Sequence, residues 1–214
     1  MKRHYFAASV ILTIALFAVS LALYSQLPDR IPTHWNLQGK VDDFSGRGSI
    51  FWMPGMLLLM LGLFRILPWI SPKQFSVDSF RNTYDFLMFL VIALLAYIHF
   101  LMLWAALSGS MDIQRGLLGG LFLFFALLGN VLGRVRRNFW IGVRTPWTLA
   151  SERVWNDTHR VAGKLFVLSG ILGFVATMAG SPPLFAIILI GIAAITAVGY
   201  SLVDYKRLER RGQV

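Results

Sequence analysis

Six long apolar stretches, separated by short polar segments, constrain this chain more than any other feature. A helix needs about 20 mostly apolar residues to cross a bilayer, and the stretches reach or approach that length. They are Phe6–Tyr24, Ile50–Ile70, Tyr84–Leu107, Gly116–Gly133, Leu165–Gly180 and Leu184–Val203. Backbone polar groups cannot stay unpaired in lipid, so such stretches form helices. The sequence therefore predicts an all-α, polytopic membrane bundle with six transmembrane helices.

The composition agrees with a lipid environment. Charged residues make up only 14% of the chain, whereas a soluble domain has about 25%. There is no cysteine, which excludes disulfides, thiolate catalysis and cysteine–metal sites. The formal charge of +10 would suggest nucleic acid in a soluble protein, but here the basic residues lie in loops beside apolar spans. Membrane lipids are therefore the expected partner, with no direct contact to nucleic acid.

The positions of Lys and Arg predict how the bundle is oriented. With the N-terminus inside, the inner segments, Lys2 and Arg3 included, hold fifteen basic residues. The outer loops hold four, which are Arg30, Lys40, Arg47 and Arg115. Positively charged loops stay on the cytoplasmic side, so both termini are predicted to be cytoplasmic. The first span is longer than the core of a signal peptide, and we expect it to be retained.

Two loops are longer than a connection requires, and each lies inside one of two predicted units. Residues 1–70 are predicted to form an N-terminal two-span unit, with an extracytoplasmic loop at 25–49 that is rich in turn-favouring Pro and Gly. Residues 84–214 are predicted to form a four-span unit, with a cytoplasmic loop at 134–164. The last two spans should form a tight hairpin, because Ser181, Pro182 and Pro183 interrupt the helix.

The cytoplasmic loop contains the pattern of a helix start, with Thr145 as the N-cap and Pro146 in the first position. From Pro146 to Ala162, apolar and small side chains fall on one face and charged side chains on the other. The pattern predicts an amphipathic helix leading into the fifth span, with Trp147 and Trp155 in the headgroup zone. Such a helix is either an interfacial anchor or a docking surface, and the pattern leaves both open.

The same region carries a specific motif, Ile141–Thr148 (IGVRTPWT), followed by Trp155 and His159. In this arrangement the chain resembles the SdpI family of bacterial toxin-peptide immunity membrane proteins. Leu27–Asn36, with Gly39 and Asp42, resembles a short uncharacterised membrane domain often found N-terminal to that family's signature. The cytoplasmic motif residues that the resemblance marks are Asn130, Arg134, Asn138, Gly142, Arg144, Thr145, Pro146, Trp147, Thr148, Trp155 and His159.

The resemblance implies a protein of the bacterial cytoplasmic (inner) membrane that protects its host from a secreted toxin peptide. For some members it also implies a receptor that recruits a cytoplasmic transcriptional repressor when toxin is bound. The alternative is a transporter or lipid-handling protein, although no inverted repeat and no mid-membrane acidic residue supports transport. An enzyme is not expected, because the chain has neither a His-Glu-x-x-His nor a Gly-x-Ser-x-Gly motif. No cofactor is expected.

The extracytoplasmic loop should be rigid. Pro32 restricts Ile31 to extended conformations, and Asn36 to Gly39 suit a turn. We expect this loop to display the candidate toxin-facing residues, which are Ile31, Pro32, His34, Trp35 and Asn36. A metal site at His34 would need three or four ligands, and only Asp29, Asp42 and Asp43 are near in the sequence. A structural role, with the imidazole bonded to loop backbone, is therefore favoured over metal binding.

Polar and small residues inside the spans have two interpretations. His99 in the third span and Asn130 near the inner end of the fourth are functional candidates or ordinary hydrogen-bonding groups between helices. The pairs Gly129-x-x-x-Gly133 and Ser169-x-x-x-Gly173 place small residues on one helix face. Such faces permit close helix packing, within the chain or in a homodimer.

Overall fold

The computed structural model describes residues 4–36, 39–108 and 112–214, so Lys2 and Arg3 lie outside the described residues. Within them the chain forms seven α-helices, which are α1 His4–Leu23, α2 Trp52–Ile70, α3 Arg81–Ser108, α4 Ile113–Leu132, α5 Pro146–Ala150, α6 Glu152–Met178 and α7 Pro183–Glu209. All but α5 are long and apolar enough to cross a membrane. The predicted polytopic bundle of six spans is confirmed.

Successive spans alternate in direction, which gives the bundle two ends. One end carries a small antiparallel sheet of two strands, β1 Arg30–Trp35 and β2 Val41–Gly46, and we call it the hairpin end. The other end carries residues 133–145, which connect α4 to α5. We call this segment the motif loop and its side of the bundle the motif end.

The strand pair begins where Arg30 faces Gly46 and Ile31 faces Ser45. Gly39 has a φ of +74°, and its N–H donates to the Asn36 carbonyl at 2.9 Å. The predicted extended backbone at Ile31 and the turn that closes at Gly39 are confirmed, while Leu37 and Gln38 lie outside the described residues. The strand pair itself is a feature that the turn-favouring composition did not predict.

Helices α4 and α6 pack against each other through glycines. A Cβ on Gly129 would lie 2.6 Å from the Gly163 carbonyl oxygen, and one on Gly163 would lie 2.8 Å from the Gly129 oxygen. Nearer the hairpin end, Gly170 lies against the backbone of Ala126 in the same way. Close packing through small residues is thereby confirmed, and these faces are used within the chain rather than left free for a second copy.

Hydrogen bonds between side chains and neighbouring helices join the first three spans. The Ser20 hydroxyl of α1 and His99 Nε2 of α3 lie 2.8 Å apart in the interior. His99 therefore takes part in a hydrogen bond between helices, as its interpretation as an ordinary hydrogen-bonding group predicted. Pro68 of α2 has no N–H, which leaves the carbonyl of Phe64, four residues earlier, without its helical donor. The Tyr84 hydroxyl of α3 donates to that carbonyl at 2.7 Å.

The other connections follow their sequence signals. After α6, Gly180 has a φ of +81°, and α7 begins at Pro183, so the predicted tight hairpin is confirmed. Helix α6 begins at Glu152, well before the predicted fifth span.

Trp52 and Trp69, at opposite ends of α2, are 80% and 85% exposed. They lie about 25 Å apart along the helix axis, as expected for tryptophans near the two membrane surfaces.

Candidate functional site

The motif loop has almost no regular structure and is organised by a buried amide. Asn138 Nδ2 donates to the carbonyls of Arg136 at 2.8 Å and Ile141 at 3.1 Å. Its Oδ1 accepts the N–H groups of Trp140 at 2.7 Å and Ile141 at 2.8 Å. Because a side-chain amide has two donors and two acceptor positions, Asn138 is fully satisfied. It replaces the backbone hydrogen bonds that a helix or strand would supply.

Trp155 and His159 of α6 pack under the motif loop, on its side toward the bundle, and form hydrogen bonds with its backbone. Their rings stack, with centroids 4.1 Å apart, and both side chains are fully buried. Trp155 Nε1 donates to the carbonyl of Val135 at 2.7 Å. His159 Nδ1 lies 2.7 Å from the Trp155 carbonyl, and Nε2 accepts the N–H of Val143 at 3.0 Å. This pattern requires the neutral tautomer that carries its proton on Nδ1.

Gly142 must be glycine for two independent reasons. Its φ is +119°, a conformation that side chains with a Cβ rarely adopt. A Cβ at this position would also lie 2.2 Å from His159 Nε2. The loop can therefore approach the imidazole closely enough to present the Val143 N–H only because residue 142 has no side chain.

The start of α5 ties the motif loop to the last span. Thr145 and Thr148 form a capping box, in which each hydroxyl accepts the other residue's backbone N–H, at 3.2 Å and 2.9 Å. The predicted N-cap at Thr145 and the first-turn position of Pro146 are confirmed. The Thr145 hydroxyl also lies 3.0 Å from the Ser201 hydroxyl of α7. One residue thus ends the loop, starts the helix and contacts a second span.

Arginine side chains and aromatic rings secure the outer side of the loop. The exposed Arg144 guanidinium donates to the Phe139 carbonyl, and Arg137 donates to the Leu149 carbonyl at 3.0 Å. The Phe139 ring packs on Phe75, in the α2–α3 connection, with centroids 4.1 Å apart. Trp140 Nε1 donates to the Ser71 hydroxyl at 2.6 Å. The loop therefore contacts the α2–α3 connection as well as α6 and α7.

The predicted continuous helix from Pro146 to Ala162 is wrong. Helix α5 ends at Ala150, and Ser151 is extended, with φ of −132° and ψ of +126°, before α6 begins. The face of this segment that carries the apolar and small side chains is mostly buried, but it packs against protein instead of lipid. Trp155 is therefore not interfacial, and Trp147 is half-buried. The reason is tertiary, because the motif loop folds over Trp155 and supplies the carbonyl acceptor for its indole.

The structure brings most of the motif residues together and leaves some at the edge. Asn138, Gly142, Thr145, Thr148, Trp155 and His159 form one connected set of contacts. Asn130 and Arg134 are exposed near the end of α4, so Asn130 is not the buried intramembrane polar group that the sequence suggested. Sequence analysis missed Ser71 and Ser201, which receive contacts from the motif. For Ser201, a small polar residue inside an apolar span was the available signal.

At the hairpin end, two of the predicted toxin-facing residues are not displayed. Ile31 and Pro32 are buried, and Ile31 packs in a cluster with Leu27, Ile50 and Leu103. Strand β1 lies on the helix ends, which covers one of its faces. The prediction that these two residues are displayed is therefore wrong.

The remaining candidates at the hairpin end are accessible. The His34 side chain is 67% exposed, while Trp35 and Asn36 are half-buried. His34 Nδ1 lies 2.5 Å from Asp42 Oδ1, so its partner is a carboxylate rather than the expected loop backbone. Among the residues that the structure describes, no group of three or more His, Asp or Glu side chains is placed to hold a metal.

The six-span bundle, with a loop of hydrogen-bonded polar residues at one end, defines a multi-pass membrane protein. Comparison with known proteins identifies its family. The model of the SdpI/YfhL protein family matches residues 134–201, and that of a domain of unknown function (DUF1648) matches residues 11–58. The chain is 30% identical over 202 residues to the Immunity protein SdpI of Bacillus subtilis (strain 168), covering 94% of this chain and 95% of that protein. The chain belongs to the SdpI family. No solved structure matches it significantly.

Both predicted resemblances are confirmed by these matches. The SdpI/YfhL match begins at the second residue of the motif loop and includes α5, α6 and most of α7. The second match begins within α1 and includes the hairpin and the start of α2. Helix α3 lies outside both matched ranges and packs against α1 as well as α4. The division into units at residues 70 and 84 therefore stays a prediction.

Proposed function

We propose that this chain is a membrane immunity protein that protects its bacterial host from a secreted antimicrobial toxin peptide. The observation that carries the proposal is its relation, over nearly the full length of both chains, to a protein named for immunity. The motif loop adds support, because the residues that mark the family make one connected structure at one end of the bundle. No catalytic function is part of the proposal.

We further propose that the hairpin end faces outward and the motif end faces the cytoplasm of the inner membrane. The support is the charge asymmetry, since basic residues concentrate at the motif end. Reporter fusions inserted at Gly39 and at the C-terminus test this orientation. The two fusions should report opposite sides of the membrane, and a common side for both would contradict it.

Toxin contact is proposed at the outward side of the hairpin, at His34, Trp35 and Asn36. A secreted peptide arrives from that side, and these three are the accessible residues among the five candidates. Ile31 and Pro32 support the hairpin from beneath and make no direct contact in this proposal. His34→Ala and Trp35→Ala should lower toxin binding to membranes that carry the protein, and normal binding by both would remove the hairpin as the contact site.

The motif end is proposed as the surface for a cytoplasmic partner, in members that signal to a transcriptional repressor. Arg134, Arg144 and Pro146 are exposed there, whereas Trp155 and His159 are buried and act by holding the surface in shape. Binding outside and recognition inside would be coupled only if the bundle has two arrangements that both partners bias. Helices α4 and α6, which are the fourth and fifth spans and lie before and after the motif loop and α5, are the proposed moving parts.

The experiment that tests immunity is expression in a toxin-sensitive host. The host is challenged with the secreted peptide fraction of toxin-producing strains, and survival is compared with that of the empty host. Wild-type chain should raise survival against at least one fraction. An inserted, full-length chain that protects against none of them would contradict the proposal.

One arginine sharpens this test. Arg144 donates to the Phe139 carbonyl, and lysine cannot reproduce the planar guanidinium fork. We expect Arg144→Lys to lose most protection while its amount in the membrane is unchanged. Arg136→Lys is the matched control, because Arg136 is an exposed arginine of the same loop. Full protection by Arg144→Lys would reduce Arg144 to a charge that sets topology.

A further inference from the structure

An apolar groove of about 610 Å³ lies between α3, α4 and α6 and reaches toward the hairpin end. Leucines of α3 and α4 line the part farther from the hairpin end. Nearer that end, the side chains of Met178 and Tyr97 lie over Gly119 and Gly120 of α4. Asp112 and Arg115 lie at its hairpin end. We propose that this groove binds one phospholipid with a primary-amine headgroup, with an acyl chain in the groove and the headgroup on Asp112 and Arg115. This inference does not depend on immunity.

The length of the groove selects a lipid over a spanning peptide. Along α4 it extends from Arg115 to Leu127, which is about 18 Å of helix axis. The hydrocarbon core of a bilayer is about 30 Å thick, so the groove matches one leaflet. A transmembrane segment would need a contact surface across both leaflets. A phospholipid with its phosphate near Arg115 places the end of its acyl chain near Leu127.

The lining suits an acyl chain as well. Leu123 and Leu127 are partly exposed on the surface of the bundle, where the surrounding solvent is lipid. Tyr97 of α3, which is part of the wall of the groove, donates to the Gly116 carbonyl of α4 at 3.0 Å and ties the two helices together there. A chain that fills the groove would complete the packing of α3 against α4, because a void leaves its lining without contact partners.

The preference for one lipid headgroup follows from the opposite charges of Asp112 and Arg115 at the hairpin end of the groove. Asp112 Oδ1 accepts the Arg115 N–H at 3.0 Å and caps α4, while Oδ2 lies 3.4 Å from Arg115 Nε. This contact does not use the terminal nitrogens of Arg115, which are the usual phosphate donors. Both side chains are about half exposed. Phosphoethanolamine matches the pair, because its phosphate complements Arg115 and its ammonium can donate to Asp112. Choline has no N–H to donate, and glycerol has no positive charge.

The first test blocks the groove. Wild-type protein, Leu127→Trp and Leu59→Trp are purified in mild detergent from membranes rich in phosphatidylethanolamine, and the lipid that stays bound is measured by native mass spectrometry. Leu59 is the matched control, because it is a leucine on the lipid-facing side of α2 that is 77% exposed. We expect Leu127→Trp to retain about tenfold less lipid and Leu59→Trp to behave as wild type. Equal retention by all three proteins would overturn the proposal.

The second test reads the headgroup. The proteins are reconstituted in vesicles with equal parts of phosphatidylethanolamine, phosphatidylcholine and phosphatidylglycerol, and the co-purified lipid is compared. Wild type should enrich phosphatidylethanolamine about tenfold over the other two. Asp112→Asn, which keeps a helix cap but removes the charge, should lose this preference. Wild-type enrichment of phosphatidylcholine or phosphatidylglycerol, or no enrichment, would overturn it.

A photo-crosslinker at Leu123 separates a lipid from a peptide as the occupant. Wild-type chain carrying benzoylphenylalanine at this position is irradiated in native membranes and its mass is measured. The proposal predicts an adduct with the mass of a phospholipid. A peptide adduct, or capture no greater than at the control position Leu59, would overturn it.

Discussion

The two ends of the bundle achieve order in opposite ways. The hairpin end is built from two paired strands, with register shifts on either side of His34, and two of its side-chain contacts, His34 with Asp42 and Asp29 with Arg47, are largely exposed. The motif end has an irregular loop, but the side chains of Asn138, Thr148 and His159 are buried there and hydrogen-bonded to backbone groups. Exposed ion pairs contribute only about 0–1 kcal/mol, whereas loss of a partner for a buried polar group costs about 1–3 kcal/mol. The irregular end should therefore be the harder one to alter.

A pair of glycines makes the comparison concrete. Gly39 and Gly142 both have positive φ, so each is suited to its turn by conformation alone. A Cβ on Gly39 would meet the Gln114 side chain at 2.9 Å, whereas one on Gly142 would meet the His159 ring at 2.2 Å. The atom met at Gly39 is the Cβ of Gln114, in the first turn of α4, and the ring met at Gly142 is held by hydrogen bonds at both of its nitrogens. Both glycines are therefore in close contact with fixed atoms, and the contact at Gly142 is the shorter one.

The largest effect is expected for Gly142→Ala. The new methyl group would push the loop off His159 and leave the imidazole Nε2 without its donor. We expect a loss of about 3 kcal/mol in the free energy of unfolding, measured by thermal unfolding in detergent micelles. Gly212→Ala is the control, because Gly212 also has a positive φ but a Cβ added there would meet nothing within 4 Å. It should lose only about 1 kcal/mol, and an equal loss in both variants would refute the close contact with His159.

Next in size is the replacement of the buried amide. Asn138→Ala leaves the N–H groups of Trp140 and Ile141 without their acceptor, and we expect a loss of about 2 kcal/mol. Asn36→Ala is the counterpart at the hairpin end, where the amide oxygen accepts the Lys40 N–H at 3.0 Å in an exposed turn. It should lose under about 1 kcal/mol. If the two variants unfold at the same temperature, the contrast between the ends is not real.

A smaller effect is expected for Trp155→Phe. Phenylalanine keeps most of the apolar contact but leaves the Val135 carbonyl without the indole donor, which should cost about 1.5 kcal/mol. Trp52→Phe changes the same residue type at a site that is 80% exposed, and its unfolding temperature should stay close to that of wild type. An unfolding temperature for Trp155→Phe as high as that of Trp52→Phe would contradict the buried position of Trp155 and favour its assignment to the membrane surface.

The smallest effect on stability belongs to the exposed pair of the hairpin. His34→Ala removes the contact with Asp42, and we expect a change of about 0.5 kcal/mol or less. Asp42→Asn should behave alike, because either change breaks the same pair. The thermal unfolding assay measures both variants. A loss as large as that of Asn138→Ala would show that the hairpin is held by this pair and would reverse the comparison.

Local patterns in the sequence predicted much of this structure. Apolar length predicted the spans, Thr145-Pro146 predicted the start of α5, and Asn36 with Gly39 predicted the turn of the hairpin. Each of these signals is contained within a few residues or one helix. They also placed His99 and Gly129 in contacts between helices, because small and polar residues in apolar spans have few other roles.

The errors arise where a side chain's environment is set by a distant segment. A helical wheel treats Trp155 as an interfacial tryptophan, because it cannot represent a loop that folds over the indole from residues 133–143. The burial of Ile31 depends on Ile50 and Leu103, which belong to other elements. The break at Ser151 was missed because no Gly or Pro marks it. The groove beside α4 had no sequence signal either, since a gap between helices is a property of their packing.

The missing N–H of Pro68 has a consequence for how the chain enters the bilayer. Outside the finished fold, α2 would expose the Phe64 carbonyl to hydrocarbon, where an unpaired backbone group is strongly unfavourable. The hydroxyl that satisfies it belongs to Tyr84, on the next helix to be synthesised. Insertion of the second and third spans together, as a helical pair, is therefore favoured over insertion one at a time. A chain interrupted between them would leave the second span with one backbone carbonyl that has no donor.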